Sequence, residues 1–215
     1  MASDQRDAAT ADEATPAPGQ PVSDQLEEWL TNDEPNTMGS LTDAFGDEIL
    51  AVACLVLVAP SALPIPTGGA TDVLNVLALI SAIQIAIGRR SLWVPKRWRD
   101  KDLGSRSAKF IGFLVRAIRT CEKVSRPRLS GLLASRPGRA VIGLAIAVFA
   151  IGAILAPPFS GLDTLPALGV VLITLGMLLG DAAFVIAGLV VGAGGIGLAV
   201  TLGAKAAEAI GNLFG

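Results

Sequence analysis

The chain has 215 residues, 52% of them apolar and only 17% Asp, Glu, Lys or Arg, against about a quarter charged in an ordinary soluble domain, an imbalance that points to lipid. It contains no His, which excludes a Ser-His-Asp triad, a Cys-His nucleophile pair, His-ligated zinc and His-ligated haem. Its two cysteines, Cys54 and Cys121, form no C-x-x-C, so a metal knuckle or a thioredoxin-like motif is excluded as well.

Residues 1–22 are rich in Ala, Asp, Thr and Pro, too polar to bury a core, and are expected to form a disordered acidic tail. No basic region followed by an apolar stretch marks a signal peptide there. The segment 23–48 opens with SDQLEEWL, a short amphipathic helix that gathers Leu26, Trp29 and Leu30 on one side, lying on a membrane or on its own domain. From Ile49 the chain falls into uncharged runs at 49–71, 73–88, 140–162, 164–180 and 182–204. About 20 apolar residues span a bilayer, so the 23-residue runs are long enough and the shorter ones marginal.

Two of the long runs are broken. Pro60, Pro64, Pro66, Gly68 and Gly69 interrupt the first, and Pro157, Pro158 and Gly161 the second; proline inside a helix removes a donor and clashes with the preceding turn. A shift of 92 residues places Leu63 on Leu155, Pro66 on Pro158, Gly69 on Gly161 and Gly88 on Gly180. The expected fold is therefore all-α: a polytopic integral membrane protein built of two Pro/Gly-broken helical hairpins, 49–88 and the start of 140–215, related as an internal repeat and followed by a C-terminal transmembrane helix.

The charges are sorted along the chain. Residues 1–48 hold twelve of the nineteen acids, and residues 89–139 hold fifteen of the seventeen bases. Basic residues beside membrane segments favour the cytoplasm, which places segment 89–139 and the N-terminus on that side of a bacterial inner membrane. Trp93 and Trp98 fit interfacial anchoring, as do Arg89, Arg90, Lys96 and Arg97. Between Ser105 and Val124 an amphipathic helix is expected, with Phe110, Leu114, Ile118 and Cys121 on one stripe and Lys109, Arg116, Arg119 and Lys123 elsewhere, lying at the interface over anionic lipid.

The stretch LPIPTGGATDVLNVLALISAIQIAIGRRSLWVPKRW, from Leu63 to Trp98, resembles the first signature of the ExoD family of bacterial exopolysaccharide-synthesis proteins. Arg126 to Gly192 is similar to the second half, with its Arg-Pro-Arg entry, Pro-Pro-Phe and Leu-Pro-Ala, and Ser40 to Gly46 (SLTDAFG) to the segment before the first helix. Asp72 and Asn75 depart from the small or apolar residues common there, and Ser160-Gly161-Leu162-Asp163 replaces a short Gly-Asn stretch. The resemblance implies an inner-membrane protein needed for exopolysaccharide production, linked to tolerance of alkaline conditions, and supplies no active site.

For the chemistry, Gly192-x-Gly194-x-x-Gly197 mimics a dinucleotide-binding turn, with Glu208 as a would-be ribose ligand. Only eleven residues separate Gly197 from Glu208, too few for the rest of a βαβ unit, so the glycines are read as close helix contacts. The candidate polar site is the pair of breaks: Pro66, Gly68, Gly69, Thr71 and Asp72 in one, Pro158, Gly161, Asp163 and Thr164 in the other. Their acids and hydroxyls are either helix N-caps or a shared cavity for a proton, cation or lipid-linked sugar. Asp181 is read as a turn residue, and Asn75, Ser81, Gln84 and Thr174 as hydrogen-bonding between helices. No enzyme activity, cofactor, metal or nucleic acid is expected; the partners are the bilayer, anionic lipid and polysaccharide-synthesis proteins. The function is a small transporter or ion pathway, or else a non-catalytic scaffold or regulator.

Overall fold

The computed structural model describes residues 20–31, 37, 40, 45, 48–63, 70–89, 104–126, 129–156 and 160–214, excepting the side chains of 70–72, 104–111, 206–211 and 213–214. The acidic tail up to residue 19 and the Trp93–Trp98 segment lie outside them. Among the described residues the regular structure is helical, without a strand. The helices are α1 (Val22–Thr31), α2 (Ile49–Val58), α3 (Ala70–Ala86), α4 (Gly104–Val124), α5 (Ser130–Ala134), α6 (Arg136–Leu155), α7 (Thr164–Leu179) and α8 (Ala182–Phe214). They divide into two compact units, residues 1–49 with 90–124, and residues 50–89 with 125–215.

In the first unit α1 packs on α4. The backbone starts α1 at Pro21, whose carbonyl accepts from the amides of Asp24 and Gln25 at 3.1 Å. Val22, Leu26 and Trp29, spaced to fall on one stripe, are buried, as are Leu114, Val115 and Ile118 of α4. A fully buried Leu such as Leu26 contributes about 1.5–3 kcal/mol. The apolar stripe foreseen on α4 thus meets a helix of its own chain rather than lipid, because α1 brings a matching stripe and the carboxylates to go with it.

The second unit is organised by α6, which touches α3, α5, α7 and α8. Ser135 caps α6, its Oγ accepting from Gly138 N at 3.2 Å, and Pro137 occupies the first turn, where a missing donor costs nothing. The helix consequently starts at Arg136, inside the segment read from charge as basic. Two helix stretches are long and apolar enough to cross a membrane, Arg136–Leu155 and Ala182–Lys205. Both show large apolar side chains on their outward faces, Val141, Leu144 and Leu155 on α6 and Ile186, Val190 and Val200 on α8.

Both short helices end alike. Gly88 and Gly180 take positive φ of 79° and 64°, the left-handed turn that glycine enters without a Cβ clash. In each case the next amide reaches back five residues, Arg89 N to Gln84 O and Asp181 N to Gly176 O, both at 2.9 Å, closing the last carbonyls of the helix. The two turns stand 92 residues apart, the spacing of the sequence shift.

Candidate functional site

The two breaks differ in what the structure reveals of them. Pro66, Gly68, Gly69 and Pro158 lie outside the described residues. Thr71 and Asp72 fall in the first turn of α3, and their side chains are also outside. In the second break Gly161 is exposed with φ 69°, and its carbonyl accepts from Thr164 N at 3.3 Å. Asp163 and Thr164 are half-exposed, and Asp163 occupies the position before α7 in helical backbone conformation with no side-chain capping bond. The carboxylate is therefore a solvent-side group at a turn, positioned near the amide end of α7, where a negative charge is favoured.

Beneath the first break lies a polar seam. Ser61, in the turn that ends α2, donates from Oγ to Asn75 Oδ1 at 3.0 Å. Asn75 is 0% exposed, Ser61 2%. One turn further, Cys54 Sγ lies 3.6 Å from Ala78 O, and Ser81 Oγ neighbours the same thiol. Gln84, also buried, continues the polar line toward Arg89. Ser81 and Thr174 do not bridge helices as their main bond: each hydroxyl turns back to its own helix, to Leu77 O at 3.1 Å and to Val170 O at 2.8 Å, the usual recourse of a buried hydroxyl facing apolar neighbours. Asn75 Nδ2 is buried and has no hydrogen-bond partner.

Asp181 does fasten a turn. It is 2% exposed; its Oδ1 accepts from Ala183 N at 3.0 Å, capping α8, while Oδ2 accepts from Arg126 N at 2.9 Å and Ser125 Oγ at 3.4 Å. Buried charge is tolerated when several donors meet it. Nearby, Arg139 Nη2 donates to Arg89 O at 3.5 Å.

The interfacial basic set is split. Arg90, Lys96 and Arg97 lie outside the described residues, and Arg89, Arg116 and Lys123 are exposed. Arg119 is engaged: it pairs with Asp24 at 2.9 Å and with Glu27. Hydrogen bonds that it donates to Glu27 and then to Asp24 hold its guanidinium even more firmly charged than usual. On the same helix, burial, and then the charge of Glu122, raise the Cys121 thiol above its ordinary value.

The Gly192–Gly197 motif is no phosphate loop, since it lies within the continuous helix α8. Its members serve opposite faces. A Cβ on Gly192 would strike the Phe149 ring, and one on Gly195 would meet Leu165 and Pro166, whereas Gly194 and Gly197 face open space. Helices α7 and α8 also approach closely, since a Cβ on Gly169 would sit 2.6 Å from Gly192 Cα and 2.9 Å from Gly188 O, and α6 meets α3 more closely still, a Cβ on Gly143 falling 2.4 Å from Ala86 N. No group of acids and cysteines among the described residues is arranged to hold a metal.

The family model for exopolysaccharide synthesis, ExoD, matches residues 22–201, from the start of α1 into the middle third of α8. The chain belongs to the ExoD family. An uncharacterized protein of Synechocystis sp. is 28% identical over 180 residues, covering 80% of each chain. No solved structure matches. The family match embraces the described polar seam, both breaks and the Asp181 turn, so these belong to the ExoD-related part of the chain. What the sequence missed is the partner of Asn75. The signal was available in the 92-residue shift, which sets Ser61 and Asn75 against Ala153 and Ala167: polar in one copy, Ala in the other.

Proposed function

We propose that this ExoD family member is a multi-pass inner-membrane protein that supports exopolysaccharide synthesis or export without catalysing a reaction, as a small transporter or ion pathway through its first hairpin. The observation that carries the reading is the buried Ser61–Asn75 pair inside a hairpin that is otherwise apolar, because intramembrane polar groups are costly and mark pathways. Helix length supplies the depth. The ten residues of α2 rise about 15 Å, half of a hydrocarbon layer of about 30 Å, so the hairpin re-enters rather than crossing twice. Asn75 stands fourteen residues before Arg89, about 21 Å from the basic end and within the layer. The 20 residues of α6 rise about 30 Å, which carries the second break to the far surface and agrees with a solvent-side Asp163.

In this topology the basic segment and N-terminus face the cytoplasm, and the matched turns at Gly88 and Gly180 support an internal repeat. The test is genetic complementation in a host lacking the protein, with polysaccharide yield and alkaline growth as readouts and membrane abundance checked by immunoblot. Asn75→Leu, and separately Asp72→Asn with Asp163→Asn, should lower both readouts while the protein accumulates. Normal yield and growth in both variants would overturn the pathway. The exposed Arg116, Lys123 and Phe113 on α4 favour a second reading, a scaffold that recruits polysaccharide-synthesis proteins or anionic lipid. Under it, Arg116→Ala with Lys123→Ala abolishes partner recovery and Asn75→Leu is silent.

A further inference from the structure

Asn75 Nδ2 is a buried donor without an acceptor, at a position where more than nine in ten buried polar groups are paired. Rotating the amide by half a turn gives Nδ2 to Ser61 but leaves Oδ1 open instead, so the site lacks one partner in either orientation. The missing partner is not a charged side chain of the described part of the hairpin: apart from Asp72, whose side chain lies outside the described residues, α2 and α3 carry no charged residue. It is also small, since Asn75 and Ser61 are 0% and 2% exposed and Cys54 closes on Ala78 within 3.6 Å one turn away. A group that accepts from an amide in one orientation and donates to it in the other is amphiprotic.

We propose that a single ordered water molecule occupies the Ser61–Asn75 junction, making the turn that ends α2 a buried hydration site. Such a water needs two to four polar partners. Asn75 Nδ2 and a lone pair of Ser61 Oγ are two; at the close of α2 the carbonyls of Leu55 and Val58 accept from later amides, whereas that of Val56 faces Pro60, which has no N–H to give. The second hairpin has no equivalent pair, because Ala153 and Ala167 stand at the matched positions. The water rests on the hairpin being membrane-embedded, as proposed above, and not on any solute passing through it.

The test uses the full chain, labelled with 15N-asparagine, in nanodiscs of phosphatidylethanolamine and phosphatidylglycerol. Its four asparagines, Asn32, Asn36, Asn75 and Asn212, give four side-chain amide pairs. That of Asn75 is the pair lost in Asn75→Leu or, if this variant does not fold, the pair moved most by Ser61→Ala. The expected result is a dipolar cross-peak between water and the Asn75 amide, whose hydrogens exchange at least about tenfold more slowly than those of the exposed Asn212, as a buried site requires. Absence of the cross-peak, or exchange as fast as at Asn212, overturns the bound water. A cross-peak together with full polysaccharide yield in Asn75→Leu keeps the water and removes the pathway.

Discussion

The two hairpins share a plan and differ in their interiors. Each pairs an apolar helix with a second helix that a left-handed glycine closes, Gly88 or Gly180. The first is held around Ser61, Asn75, Cys54 and Ser81. Beside the second, backbone contact joins α7 to α8, with Gly169 against Gly188 and Gly192 and the Phe149 ring over Gly192. The contrast teaches that both hairpins close on a left-handed glycine, whereas what holds their helices to a neighbour differs. Where hydrophobic burial gives little between helices, packing of small residues and hydrogen bonds become alternative means of association.

The contrast is broken most severely at the glycine seam between α7 and α8. Gly169→Leu sets a side chain into the backbone of α8 and should cost about 3 kcal/mol or abolish the folded state, while Gly197→Leu, which faces open space, should stay within about 0.5 kcal/mol. Thermal unfolding of the purified variants followed by circular dichroism separates the two. Exchanging the seams is the next largest effect. Ala167→Asn puts an amide among apolar neighbours of the second hairpin and should cost about 1–3 kcal/mol, whereas Asn75→Leu removes an unpaired donor as well as a bond and should fall within about 1 kcal/mol of the parent. Equal losses from both would mean that the hairpins are not different in kind.

The smallest effect is a rate. The raised Cys121 thiol holds less thiolate at neutral pH than a free cysteine, so its alkylation by iodoacetamide should be slow at pH 8 and keep rising above the ordinary thiol range. Glu122→Gln should speed it modestly at fixed pH, since it removes the lesser of the two causes. Cys54, 0% exposed, should stay unlabelled in the same experiment; labelling of Cys54 as fast as Cys121 would show that the first seam is open to far more than one water.

Much of the fold is legible in the sequence because its signals are local. Runs without charge and Pro and Gly positions act within a few turns of helix, and they locate α3 and α7 and the starts of α6 and α8 to within a few residues, whereas α8 runs on to Phe214, ten residues past the expected end. The start of α6 is displaced to Arg136 because a Ser135 cap and Pro137 outweigh the presence of Arg136 and Arg139. Pairings across the chain are another matter. Nothing local tells that Asp24 and Glu27 meet Arg119, 95 and 92 residues away, or that Ser61 reaches Asn75. Of the candidate site, the carboxylates drew attention because charge is conspicuous in an apolar run, yet Asp163 lies at a half-exposed turn, and the fully buried group is a neutral amide.

The Asp181 carboxylate sets an order of assembly. Its acceptor atoms hold the amide of Arg126 and the hydroxyl of Ser125, which precede it by 55 and 56 residues. A chain emerging from the ribosome therefore completes α5, α6 and α7 before the residue that anchors residues 125–126 has been made. Until the turn between α7 and α8 is synthesised, residues 125–126 lack these bonds, so the fastening of that stretch waits for a residue more than fifty positions later.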